Sequence, residues 1–393
     1  MEWTSLQVSM CIMSMHLELE PKSENLQSSN DLKARSTGVV MRKMTDSSRV
    51  IALHIVRAIA VSSSLLLVAS LSAQEKGEVT KVGTTAAQFL KIDVSPRGAA
   101  IGGAFVAIAN DASALYWNVA GISRLGQNDV LFAHTNWIAD IGFNYGAVVV
   151  SLDENNAVGA SITSLTMGDM EVRTVDFPEG TGEKFSAGSF AAGVSYARNL
   201  TDAFSIGVTA KYINEHIWHM SASSFALDLG TLYRTGFHDF TIGMSISNFG
   251  TKMRYAGDDA IIYYNVNPGH FGSNQTVVAD LRTDEWPIPL LFRVGVSMQP
   301  LKAEEHRLIV DVDALHPNDN TESLNVGAEY IFRDILFIRG GYRALFQQDR
   351  QGGLSLGVGV AYDIAGARLK ADYAWNDFGV LQKVQRFSIG IQF

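Results

Sequence analysis

Cysteine is nearly absent from this sequence. The 393 residues contain one, Cys11, so a disulfide framework is excluded. Proline is scarce at 8 residues, against 35 glycines. No uninterrupted apolar run reaches about 18 residues, which excludes a helical membrane protein. Basic residues number 31 and acidic residues 40, and a net charge of -9 argues against nucleic acid as the main partner. Catalytic signatures are missing too. Gly98, Gly102 and Gly103 have neither GxGxxG nor P-loop spacing, and there is no GxSxG element and no HExxH. An enzyme is not expected, nor is a cofactor.

The N-terminus carries an address. Arg42, Lys43, Arg49 and Arg57 precede an apolar run from Ala58 to Leu71, and the small residues of SLSA end at Ala73 before polar QEKGE. Basic segment, short apolar segment and small residue are the layout of a secretory signal peptide, expected over residues 41–73. Residues 1–40 read as a non-native or disordered extension, with Met41 or Met44 as the real start. Residues 1–73 hold 7 of the 31 basic and 6 of the 40 acidic residues, which leaves an exported chain of 24 against 34.

From about Val130 onward one theme repeats: eight to twelve alternating residues, then a break. In FSIGVTAKY, Phe204, Ile206, Val208, Ala210 and Tyr212 face one way, and Ser205, Gly207, Thr209 and Lys211 the other. The second face separates two architectures. A β-sandwich would show water a surface rich in Lys and Glu, whereas this face is mostly Gly, Ser, Ala and Thr with scattered charges. The apolar faces end in aromatics: Tyr196, Tyr212, Tyr233, Tyr330, Tyr342, Tyr362 and Trp375. Apolar outward, small or polar inward, with aromatic girdles, is the pattern of an outer-membrane barrel. In lipid every backbone group must pair, so the sheet has to close.

The fold class expected is therefore all-β: a transmembrane antiparallel outer-membrane β-barrel over residues 129–393. Strands are placed near 130–138, 142–151, 156–166, 186–198, 203–213, 222–233, 238–248, 288–298, 305–314, 323–332, 335–344, 354–363, 366–375 and 384–393, which makes fourteen. Breaks after even strands are short, and those after odd strands include the long Thr251–Pro287. Parity thus puts the long loops outside the cell. The chain ends in VQRFSIGIQF, with Phe387, Ile389, Ile391 and Phe393 on one face. A closing strand explains this ending, since it pairs with the first strand and leaves no edge. These four residues are also expected to serve as an assembly signal for the β-barrel assembly machinery.

Residues 74–128 do not alternate. They are rich in Gly and Ala, and DASALYWNVAGISRL has helix character, with Asp111 or Ser113 as its N-cap. A lumen of fourteen strands is too wide for its own side chains to fill, so this segment is expected to be a helical or irregular plug.

NDASALYWNVAGISRL resembles the hatch element of FadL-type fatty-acid channels. Asn118, Ala120 and Gly121 match it, and Val119 replaces the usual proline. The pattern is similar still more to the PorV/PorQ family, in Phe89–Ile122, in Ile246–Tyr255 and in Pro287–Gly295. That resemblance implies a FadL-like barrel associated with the type IX secretion system, in which a PorV-type protein receives secreted cargo at the outer membrane. The partners it implies are outer-membrane lipid and secretion-system proteins or cargo. The alternative is a FadL-like channel for hydrophobic small molecules, which needs a greasy internal pocket.

The remaining candidates are weaker. His216 and His219 could touch one metal ion, but no third ligand is near and the stretch reads as a loop-tip aromatic cluster with Trp218; no metal is expected. Asp319 and Glu322 in HPNDNTES lack EF-hand spacing and read as a solvated loop. Lys211, Asp228, Arg293, Asp311, Asp313, Glu329, Arg339, Arg343, Arg368, Lys370 and Asp372 fall on lumen positions and are read as plug-anchoring ion pairs. Ile261, Ile262, Tyr263, Tyr264, Phe271 and Trp286 put apolar surface on the longest loop, the candidate docking site.

Overall fold

The computed structural model describes residues 81–237, 239–272, 276–347, 350 and 352–393. The expected extension, the signal peptide and residues 74–80 lie outside the described residues.

Alternating stretches become the wall. Strands β1 (Asp129–Asn136), β2 (Gly142–Ser151), β3 (Asn156–Thr166), β4 (Ala187–Asn199), β5 (Phe204–Ile217), β6 (Met220–Arg234) and β7 (Thr241–Gly250) form its first half. Strands β8 (Leu291–Lys302), β9 (His306–Pro317), β10 (Ser323–Phe332), β11 (Leu336–Leu345), β12 (Leu354–Ile364), β13 (Ala367–Asp377) and β14 (Lys383–Gln392) form the second. Each pairs antiparallel with its sequence neighbours, and β1 pairs with β14 from Asp129 against Gln392 to Asn136 against Gln385. Among the described residues this is a closed barrel of fourteen strands.

Residue type decides which way each strand faces. On β14, Phe387, Ile389 and Ile391 are exposed on the outer face, while Arg386, Ser388 and Gln392 are buried inside. Phe393 just beyond is exposed as well, and its N–H and C=O both pair with Asn128. Tyr196, Tyr233, Tyr330 and Tyr362 stand near the end of the wall that carries the short turns, and Tyr212, Tyr342 and Trp375 near the end that carries the long loops. The turns use compact chemistry. Between β12 and β13, Ala365 (φ 50°) and Gly366 (φ 87°) both adopt the left-handed backbone of a type I′ turn.

Two expectations need correction. Strands β5 and β6 were expected to end at 213 and begin at 222, but they run on to Ile217 and from Met220. The polar run NEHIWHM looks like loop; its Glu215, however, faces inward and accepts from Ser189 at 3.2 Å. The single helix expected over residues 111–125 is also broken. Asn118, at φ -159° and ψ 100°, separates a short helix α2 (Ala114–Trp117) from a 3-10 turn (Val119–Arg124).

The interior is filled by residues 84–125, which contribute several of the largest buried side chains, among them Trp117, Phe105, Ile101 and Ile122. A second short helix earlier in the chain, α1 (Pro96–Ala100), starts from Ser95, whose hydroxyl accepts from the Gly98 amide at 3.4 Å. Inward glycines on six strands make room for this segment. A Cβ added at Gly207, Gly230, Gly243, Gly327, Gly341 or Gly357 would meet atoms of the plug closer than ordinary contact. The small residues of the inner face are there because another backbone runs against them.

Candidate functional site: a plugged lumen beneath an aromatic loop surface

The plug is tied down at three levels. At the loop end, Asp319 Oδ2 accepts from Thr85 Oγ1 (2.7 Å), Gln88 Nε2 (2.8 Å) and Lys91 Nζ (2.8 Å). Burial works to raise the Asp319 pKa, but these donors outweigh it and hold the carboxyl below its usual range. Asp319 is thus buried, not solvated as expected of that loop, because three plug side chains converge on it. Glu322 does remain on the surface, paired with His316 at 3.0 Å. Nearby, Glu215 accepts from the Ala87 amide at 3.1 Å, and Arg343 pairs with Asp93.

Deeper in the lumen, Arg97 makes a bidentate contact with Glu329 at 3.0 and 2.8 Å and reaches Asp111 at 3.0 Å. Burial alone would lower the Arg97 pKa; the carboxylates of Glu329 and Asp111 reverse this and raise it. Burial likewise opposes ionisation of Asp111, and Arg97 and Lys370 overcome it to lower its pKa. Arg339 continues the network to Glu329 (2.7 Å) and Asp372 (2.5 Å). Asp313 binds the plug differently, accepting from the amides of Phe105 (2.9 Å) and Val106 (3.0 Å).

At the turn end, Asn118 donates to the carbonyls of Val106 (2.9 Å) and Thr231 (3.0 Å), and its Oδ1 accepts from Ala120 N at 3.2 Å. Gly121 lies against the Ala109 carbonyl, where a side chain has no room. The sequence motif therefore falls in two places. Asn118, Ala120 and Gly121 form one tight turn. Asp111 and Ser113 sit at the head of α2, with Ser113 at the N-cap position but its amide and hydroxyl given to Asp111 Oδ1 at 2.9 and 2.5 Å.

The lumen charges do not all anchor the plug. Lys211 and Asp228 pair with each other along the wall at 2.8 Å, and Arg368 leans toward Asp363. Arg293, Asp311 and Lys370 have no ion pair among the described residues. Two anchors escaped the sequence reading. Arg97 is the lone charge between Val94 and Ala109, an apolar segment, and that isolation was the usable signal. Arg386 is fully buried beside Asn376 and over the rings of Trp137 and Phe378. It sits in an ordinary alternating strand, on the face opposite Phe387, and that alternation was the usable signal.

Free space in the lumen is small or polar. Between plug and wall, a cavity bordered by Phe89, Leu90 and Tyr145 together with the Lys211–Asp228 pair measures about 30 Å³. Larger spaces of about 180 Å³ and 300 Å³ are bordered mainly by charged and polar groups.

Above the barrel, Ile261–Tyr264 pairs with Val277–Asp280 as a two-stranded ribbon. Ile261, Tyr263 and Tyr264 are exposed, Ile262 half-buried, and Phe271 projects fully into solvent. The base of the loop is fixed by two backbone hydrogen bonds between Met253 and Trp286 (2.8 and 2.9 Å) and by Ala256–Gly257 pairing with β6. Trp286 stays half-exposed at this base, apart from the ribbon. Beside it, Trp218 stacks on His219 at 4.7 Å, and His219 contacts Asp259 at 3.1 Å. No group of three or more His, Cys, Asp or Glu is placed to hold a metal among the described residues.

A closed wall with an apolar outer belt, aromatic girdles and a plugged polar lumen defines an outer-membrane β-barrel. Residues 74–273 match the family model of the type IX secretion system protein PorV. The chain belongs to the PorV family, and its place is the bacterial outer membrane. Its long loops therefore face the cell exterior and its short turns the periplasm.

Among solved structures, similarity extends to a Pseudomonas aeruginosa FadL homologue, with 13% identity, a TM-score of 0.45, and 76% of this chain and 98% of that one covered. The Pseudomonas putida toluene transporter TodX gives 12% identity and a TM-score of 0.48 over 77% and 98%. The Ralstonia pickettii toluene transporter TbuX gives 13% and 0.47 over the same shares. No curated protein matches the sequence.

Proposed function

We propose that this barrel serves protein secretion by docking cargo or a translocon partner at its extracellular loops. The observation that carries the reading is the ribbon Ile261–Tyr264, whose apolar side chains stand in solvent on a firmly based loop. Exposed apolar clusters of this kind mark interaction sites. Aromatic side chains also supply large contact area at low entropic cost, as at protein interfaces. The lumen adds support. A cavity of about 30 Å³ is far below the roughly 300 Å³ at which pockets begin to hold drug-sized ligands, so a lipophile has no ready place beside the plug. The role is binding and hand-over, not catalysis.

The test replaces Ile261–Tyr264 with a Ser/Gly run in the intact protein. Barrel assembly should be unchanged, while capture of secretion-system proteins or cargo from solubilised outer membranes should fall. If uptake of lipophilic molecules falls instead and protein capture does not, the channel reading holds; no change in either would remove this loop from both. A second proposal concerns biogenesis. Phe387, Ile389, Ile391 and Phe393 act as the signal read by the assembly machinery, and they are presented together on the outer face of β14. Phe393→Ala should lower the amount of inserted barrel, measured by heat-modifiable migration in membranes; normal levels would contradict it.

A further inference from the structure

Arg293 is a lumen arginine with no ion pair among the described residues, as is Arg386, and of the two it is Arg293 that borders one of the larger spaces in the lumen. It points inward from β8, is 3% exposed, and makes one hydrogen bond, to Ser247 Oγ at 3.3 Å. Its guanidinium lies over the rings of Tyr116 (5.3 Å) and Trp117 (5.5 Å), and its Nε has no partner. Asp313 on the adjacent strand gives one carboxylate oxygen to plug amides and leaves the other without a hydrogen bond, and it makes no ion pair with Arg293.

Arg293 borders the cavity of about 180 Å³, which opens between loop residues Asn320 and Thr321 at the extracellular mouth. Two other cations line this space, and both are neutralised: Arg343 by Asp93, and Lys91 by Asp319. Water can satisfy a guanidinium N–H, but a buried cation without an ion pair is held at a cost that a bound anion would relieve. Trp117 closes one wall of the space and Ser323 and Asn325 add polar groups.

We infer that this cavity is a binding site for a carboxylate presented from outside the cell, with Arg293 as its counter-ion. A planar guanidinium fork fits a carboxylate in two parallel hydrogen bonds. One cation without an ion pair, with the Asp313 carboxylate on the next strand, suits a monoanion better than a doubly charged phosphate. The volume restricts the ligand to a short acid or the last residue of a peptide, below the size range of drug-like ligands. The inference is independent of the ribbon and of the docking role proposed for it.

The experiment titrates the full-length barrel in detergent with acetate, propionate, a tripeptide bearing a free C-terminus, the same tripeptide amidated, and inorganic phosphate. Binding is followed by calorimetry. Carboxylates should bind, the amidated peptide should not, and Arg293→Met should weaken binding at least about tenfold, the range for hydrogen bonds to a charged group. Binding of the small acids assigns the site to free carboxylates; binding of the tripeptide acid alone assigns it to chain termini. Should Arg293→Met fail to give a heat-modifiable barrel, Ser323→Trp decides, since it blocks the cavity and leaves Arg293 in place. Equal affinity in whichever variant folds, tighter binding of phosphate than of carboxylate, or no binding of any carboxylate to the unmodified protein would overturn the assignment.

Discussion

Glu329 holds two arginines at once, Arg97 of the plug and Arg339 of the wall; Glu329 and Arg339 are buried and Arg97 is nearly so. Removing one member of such a group leaves charges without partners, which costs roughly 3–5 kcal/mol. Glu329→Gln should therefore lower the midpoint of denaturant unfolding in detergent well beyond the change seen for Glu322→Gln, whose pair with His316 is exposed. Equal shifts would mean that the network contributes little. Gly121→Ala tests shape instead of charge. The new methyl would enter the Ala109 carbonyl, so a loss of about 1–3 kcal/mol is expected, the usual cost of overpacking. At this scale the sequence was only partly legible. Asn118 and Gly121 stood out through the hatch resemblance, and an isolated Arg97 could have been found. Arg386 could have been placed inward by its alternation; the burial of Asp319 could not, because it depends on chain segments far apart in sequence that only the closed barrel brings together.

Elements were far easier to read than anchors. A strand with one face in lipid and one against a plug has a strict two-residue alternation, and that signal is local. The wall strands were accordingly found to within a few residues, except where Glu215 extends β5 with a polar residue that faces inward to the plug. The plug has no such period, and its packing is set by inward glycines on six separate strands.

The clamp on the first plug turn makes a pH prediction at this scale. The Asp319 pKa is lowered in the folded state, so the clamp contributes stability above the unfolded value and loses it as pH falls through the folded one. A cysteine at Leu90, which is buried, should stay slow to label from the extracellular side between pH 8 and 5, and speed up relative to a free thiol at the same pH only below the ordinary carboxyl value of 3.8. Asp319→Asn should give the fast rate at neutral pH. Equal labelling in the variant and the parent would mean that the loop does not hold the plug.

Plug and wall together decide whether the molecule is a pore. A barrel of fourteen strands encloses a lumen that wall side chains alone cannot fill. Its inner face offers glycine, serine and ions, none of which would collapse into a dry core once exposed. The ions freed by loss of the plug, Glu329 and Arg343 among them, would hydrate instead. Deleting residues 84–125 should for that reason leave a wall that still closes through β1 and β14 but conducts ions. In planar bilayers the intact protein should be silent and the deletion should give steady channels. Glu329→Gln should fall between them, with brief openings, because it loosens one anchor and leaves the Asp313 and Asn118 contacts in place. Large polar antibiotics should enter cells carrying the deletion and be excluded by the point variant. A deletion protein that inserts normally and carries no current would show that the lumen is closed by something other than this segment.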